Sequence, residues 1–179
     1  MFSAESDDEY GHVAGESLLL VALPDLDPYI TQWQLGSVSD GIDAHVTVLV
    51  PFLPAAEIDD AVLAELARIF STHAPFDLTF AKTARFPEVL YLVPEPDQPF
   101  RELTAAVFEH WPQCPPYEGH FEDPTPHATV VHAKPESRYE EVRIALEPQL
   151  PVRTRAAAVD LLTFDGSRWQ LHTRFPLGG

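Results

Sequence analysis

Apolar positions along this chain keep two alternating periods, and the switches between them mark the elements. Residues 17–23 (SLLLVAL) are a short continuous apolar run closed by Pro24-Asp25, the pattern of a strand buried on both faces. Residues 44–50 alternate and stop at Pro51, again a strand. Between 57 and 72 the spacing changes. Ile58, Val62, Leu63, Leu66, Ile69 and Phe70 recur every three or four positions, the stripe of an amphipathic helix. Phe76, Leu78 and Phe80 return to period two, and Val89-Leu90-Tyr91-Leu92-Val93 is a compact apolar strand, so the pair reads as a hairpin with a wide turn at Phe86-Pro87-Glu88. Phe100, Leu103, Val107 and Trp111 define a second helix over 98–111, which Pro112 stops.

The remaining segments follow from turn and cap chemistry. Tyr29, Ile30 and Trp33 suggest a short helix over 28–35, and residues 36–41 (GSVSDG) form a loop. Residues 112–126 (PQCPPYEGHFEDPTP) lack any period and make a long loop, of the kind that more often carries function than not. A strand follows over 127–131. Ser137 and Glu140 offer a capping box that opens a helix to Leu146. Asp165-Gly166 between two alternating runs, 156–164 and 168–175, predicts a closing hairpin. The order of strands and helices gives two similar halves, each a small sheet with helices outside: an α+β chain. Residues 1–15 are acidic, lack apolar period and read as a frayed tail, leaving 16–179 as one domain.

Composition narrows the function. A net charge of −17, from 28 acidic and 11 basic residues, repels a long polyanion, so extended nucleic acid is a poor partner while a small phosphate ester is not. The lone Cys114 excludes an internal disulfide and a cysteine-rich zinc site. The acidic start is unlike a secretion signal, and no apolar run approaches the length of a membrane span. A cytoplasmic monomer without a cofactor is expected.

Two stretches carry chemistry. His45-Val46-Thr47-Val48 and, 82 residues later, His127-Ala128-Thr129-Val130 share one pattern on predicted strands. Strand alternation puts His and Thr on one face and the apolar pair on the other. An imidazole exchanges a proton near neutral pH, and a threonine hydroxyl donates a hydrogen bond to an anionic oxygen. A lone His on a strand is more often structural. Two complete copies point instead to an acid and a base flanking a bound phosphate. Tyr91 and Phe86 are candidates to stack on a base, and Tyr117, with His120, to close over substrate from the long loop. Arg85, Lys134 and Arg138 are the basic residues nearest the two strands. His12, His73, His110 and His172 have no partner spacing that builds a metal site.

These motifs, together with Phe86-Pro87-Glu88-Val89-Leu90-Tyr91-Leu92 and Pro115-Pro116-Tyr117-Glu118-Gly119, resemble the 2H phosphoesterase superfamily and, within it, the 2′-5′ RNA ligase-like proteins. The resemblance covers roughly residues 17–176. It implies a bilobal α+β fold, two pseudo-symmetric antiparallel sheets with outer helices around a central cleft. Carried over, His45 and His127 are the acid–base pair, and Thr47 and Thr129 hold the phosphoryl oxygens. The implied chemistry is metal-independent cleavage, or its reversal, of a 2′-linked or cyclic phosphodiester. RNA-acting members often carry Lys or Arg after the first motif, whereas here the run is Val48-Leu49-Val50-Pro51-Phe52, which directs the reading to a small diester. The alternatives are a non-catalytic nucleotide-binding protein, a 2′-5′ RNA ligase acting on RNA ends and, behind both, a metal-dependent hydrolase.

Overall fold

The computed structural model describes residues 11–34, 42–132 and 134–178. The tail expected over 1–15 falls mostly on residues 1–10, and the loop expected over 36–41 falls wholly, outside the described residues.

Strands β1 (Ser17–Ala22), β2 (His45–Leu49), β7 (Ala158–Phe164) and β8 (Trp169–Pro176) form one sheet in the order β2-β1-β7-β8. Strands β3 (Phe76–Phe86), β4 (Val89–Glu95), β5 (Ala128–His132) and β6 (Val152–Ala156) form the other, in the order β5-β4-β3-β6. Every pairing is antiparallel. The helices are α1 (Asp27–Ile30), set between two 3₁₀ turns, α2 (Asp60–Ser71), α3 (Gln98–His110) and α4 (Glu136–Leu146). The two-sheet α+β expectation is borne out.

The position of β1 follows from its composition. Leu19 and Val21 join the large core that includes Leu66 and Phe70 of α2 and Phe100, Leu103 and Val107 of α3. Leu18 and Leu20 point the other way, into a smaller cluster with Leu162, Phe164 and Trp169. A continuous apolar run is what a strand needs when neither face meets water. Helix α2 starts where Asp59 accepts a hydrogen bond from the Val62 N–H at 2.9 Å, and it buries Leu66, Ile69 and Phe70 on one face.

Four local expectations change. Strand β3 runs on to Phe86, and its hairpin turns tightly at Pro87-Glu88, with Phe86 opposite Val89. The short helix expected over 28–35 is an α-turn over Asp27–Ile30 between 3₁₀ turns at Pro24–Leu26 and Thr31–Trp33. Helix α4 begins at Glu136, one residue ahead of the expected Ser137 cap; Pro135 takes the cap position with no side-chain bond. Its fixed φ suits a helix entry by itself. The run expected as one strand from 156 splits at Ala157: residues up to Ala156 belong to β6 and those from Ala158 to β7, in different sheets. Strand β6 escaped notice because Arg153 and Arg155 sit on an edge strand, where one face stays in water.

Candidate active site

Each sheet places its motif strand at an edge, β2 in one and β5 in the other, and these two edges pack against each other. Next to each lies the nearest preceding strand in the chain, β1 beside β2 and β4 beside β5. The burial of 45–49 and of 127–131 is identical: His half-buried, apolar residue buried, Thr half-buried, then two buried apolar residues in succession. That doubling is a β-bulge. Leu20 faces Thr47 while Leu19 faces Leu49, so Val48 has no opposite number; Tyr91 faces Thr129 while Leu90 faces Val131, so Val130 has none. Both bulges sit directly after the threonine. Each ends the alternation and turns the strand just past the two polar side chains, a device common beside active sites.

Hydrogen bonds from outside fix both strands. The Ala44 N–H donates to Asp27 Oδ1 at 2.9 Å, and the Thr104 hydroxyl of α3 donates to the carbonyl of the bulged Val48 at 2.7 Å. The Gln34 amide donates to the Thr129 carbonyl at 2.9 Å.

The two imidazoles are held alike. His45 Nδ1 lies 2.7 Å from the Asp43 carbonyl, and His127 Nδ1 lies 2.8 Å from the Thr125 carbonyl, in both cases two residues back. A carbonyl can only accept, so Nδ1 carries the hydrogen in each ring and Nε2 is left to exchange protons. Burial pushes the His45 pKa below its ordinary value of 6.5; the Asp43 carbonyl opposes this, and the positive charge of a protonated His127 lowers it further. That Coulombic influence places the two rings within electrostatic reach. Burial likewise lowers His127, against the Thr125 carbonyl.

Phe86 and Tyr91 pack on each other, centroids 4.5 Å apart, and both rings meet His127 edge-on, at 5.2 and 5.5 Å. Tyr117 stands on the other side: burial raises the pKa of its phenol, and the Thr47 side chain opposes this. Tyr117 and Glu118 hold φ of 51° and 56°. Left-handed backbone costs a side-chain-bearing residue about 1–3 kcal/mol, and it persists where the surroundings impose it. Here the Tyr117 N–H donates to the Val50 carbonyl at 2.6 Å, tying the loop to the end of the first motif strand.

The guanidiniums expected nearby are committed. Arg85 pairs with Glu136 and lies 4.1 Å over the Tyr139 ring; Arg138 pairs with Glu141 and lies 5.2 Å from the Trp33 ring. The Lys134 backbone N–H donates to the Tyr139 hydroxyl at 3.2 Å. Among the described residues no three His, Cys, Asp or Glu side chains gather as a metal site, and no helix is long and apolar enough to cross a membrane.

Sequence reasoning named the two histidines, their threonines and the three aromatic residues, and it missed what supports them. Asp27, Gln34 and Thr104 have no local signature, because their partners lie 17, 95 and 56 residues away. The bulges did leave a mark: Val48-Leu49 and Val130-Val131 break the alternation with paired apolar residues.

Comparison with known proteins agrees with this architecture. The chain's fold is similar to the crystal structure of TT0787 of Thermus thermophilus, with a TM-score of 0.62 at 20% identity over 92% of this chain and 98% of that one. It is similar to E. coli LigT in apo form, with a TM-score of 0.61 at 15% identity, covering 92% and 98%. It also matches E. coli LigT complexed with 3′-AMP, with a TM-score of 0.59 at 14% identity, covering 93% and 100%. Comparison with curated protein sequences gives no match. The model of one family, described as the 2′-5′ RNA ligase superfamily, matches residues 24–168, a span that takes in both motifs and the loop between them, and the chain belongs to that superfamily.

Proposed function

We propose that this protein is a metal-independent phosphodiesterase acting on a small 2′-linked or cyclic phosphodiester: a 2′,3′-cyclic nucleotide end, a 2′-5′ linkage or an ADP-ribose cyclic phosphate. The observation that carries the reading is the matched pair of imidazoles, each with Nδ1 on a carbonyl two residues back and Nε2 left to exchange protons. On a 2′,3′-cyclic phosphodiester, one neutral Nε2 takes a proton from the attacking water as the new P–O bond forms. The other ring, as imidazolium, gives its Nε2 proton to the ribose oxygen as the old P–O bond breaks. The product is a phosphomonoester; the same steps with an alcohol in place of water are ligation, and their reverse cleaves a 2′-5′ linkage to the cyclic phosphate and free alcohol. Thr47 and Thr129 donate to the non-bridging oxygens, where charge builds in the transition state. Tyr117 beside Thr47, and Phe86 and Tyr91 beside His127, wall the two ends of the site against substrate.

The reading draws further support from its neighbours, since E. coli LigT has been crystallised with 3′-AMP, NADP+ and ATP, all small nucleotides. A binding module would need one cleft and no matched acid–base pair. The test is turnover, in EDTA, of a panel holding 2′,3′-cyclic nucleotides, 2′-5′ dinucleotides and ADP-ribose cyclic phosphate. Hydrolysis of at least one member, with a single phosphomonoester product, is expected. Inertness toward all of them would overturn the proposal.

A further inference from the structure

The aromatic residues expected to stack on a base are already engaged. Phe86 and Tyr91 cover each other, both meet His127, and Tyr91 is only 7% exposed. Open aromatic surface lies instead on the long loop. Phe121 is 61% exposed, and its ring meets that of Tyr117 edge to face, centroids 5.6 Å apart with the planes at 89°. Because the Tyr117 N–H donates to the carbonyl of Val50, three residues past Thr47, and the Tyr117 ring meets that of Phe121, the open ring is tied to the end of the strand that carries Thr47.

The loop is held on both sides of Phe121. Upstream, the Tyr117 N–H donates to the Val50 carbonyl at 2.6 Å and the His120 N–H to the Tyr117 carbonyl at 3.0 Å. Downstream, Arg101 donates to Asp123 at 2.5 Å and to the Pro124 carbonyl at 3.5 Å. A ring anchored in this way loses little freedom when a ligand settles on it. Every base has a π-face, so an aromatic platform favours substrates that carry a base while tolerating which base it is.

From this we infer that Phe121 is the nucleobase platform of the site and sets its preference for nucleotides over base-free cyclic phosphates. The inference rests on the phosphodiesterase reading for its substrate. The test compares kcat/KM of wild type and Phe121→Ala on 2′,3′-cyclic AMP and on methyl riboside 2′,3′-cyclic phosphate, which lacks the base. The variant should lose about tenfold more on the first than on the second, and Phe121→Trp should restore the difference. Equal losses on both substrates overturn the platform. Calorimetric titration with adenosine 2′-monophosphate gives a readout without turnover: Kd should rise about tenfold in Phe121→Ala, and an unchanged Kd overturns the platform. If wild type turns over neither diester, the Kd comparison decides the platform by itself, and the phosphodiesterase reading falls only with inertness toward the whole panel.

Discussion

His45 and His127 each spend one nitrogen on a main-chain carbonyl two residues back and sit in surroundings that disfavour charge. Two consequences follow for pH. In the free enzyme the pair must hold one proton to act, and both pKa values are below 6.5, so kcat/KM should peak on the acidic side of pH 6.5 and fall as pH rises beyond it. A pH–rate profile with its maximum above pH 7 contradicts this. For stability the sign is opposite in appearance but has the same origin. The unfolded chain binds protons at these rings from pH 6.5 downward, the folded chain only at lower pH, so folding free energy present above 6.5 drains away as pH falls through the lowered values. Urea melts at pH 7.5 and 5.5 should show a loss that shrinks in His45→Gln. The residue scale was the most legible in sequence: strand alternation alone put His and Thr on one face. The Nδ1 bonds were not legible, because Asp43 and Thr125 contribute main-chain carbonyls that any residue would supply.

Strands β2 and β5 owe their shape to matched bulges and to donors from elsewhere in the chain. The Thr104 hydroxyl on the Val48 carbonyl ties helix α3 to the bulge that follows Thr47. Thr104→Val keeps the side-chain shape and removes the donor, so it should cost about 1 kcal/mol of stability and several-fold in kcat. Asp59→Ala, which removes the N-cap of α2, should cost about as much stability while leaving kcat unchanged. Activity assays and urea melts on both variants separate the two effects; equal kcat values in the two contradict a role for the Thr104 bond in shaping the site. At this scale periodicity found α2, α3 and both motif strands. It failed where the deciding interaction was nonlocal or one-sided: at β6, whose edge position tolerates Arg153 and Arg155, and at the start of α4, where Pro135 displaced the expected cap.

The whole molecule combines an acidic chain, of net charge −17, with a site whose expected guanidinium neighbours Arg85 and Arg138 are paired to Glu136 and Glu141. In the proposed mechanism a bound phosphate meets threonine hydroxyls and one imidazolium. Salt should then act by screening repulsion: raising NaCl from about 50 to 200 mM should leave KM for a small diester unchanged or lower it, whereas a protein that binds by counterion release weakens steeply over the same range. A steep rise in KM would show that a basic footprint governs binding. The meeting of β2 and β5 was the part least legible from pattern. Two strands 82 residues apart share no local signal that they face each other, and that expectation came from the resemblance carried by the motifs.

The central claim is that His45 and His127 divide the acid and base roles. It is tested most directly by the pH dependence of kcat/KM for wild type, His45→Ala and His127→Ala on the diester that wild type hydrolyses. Wild type should give a bell. Each variant should lose at least about 10²-fold, one losing the acidic limb that reports the base and the other the alkaline limb that reports the acid. A variant that retains wild-type kcat/KM, or two variants that lose the same limb, would contradict the account.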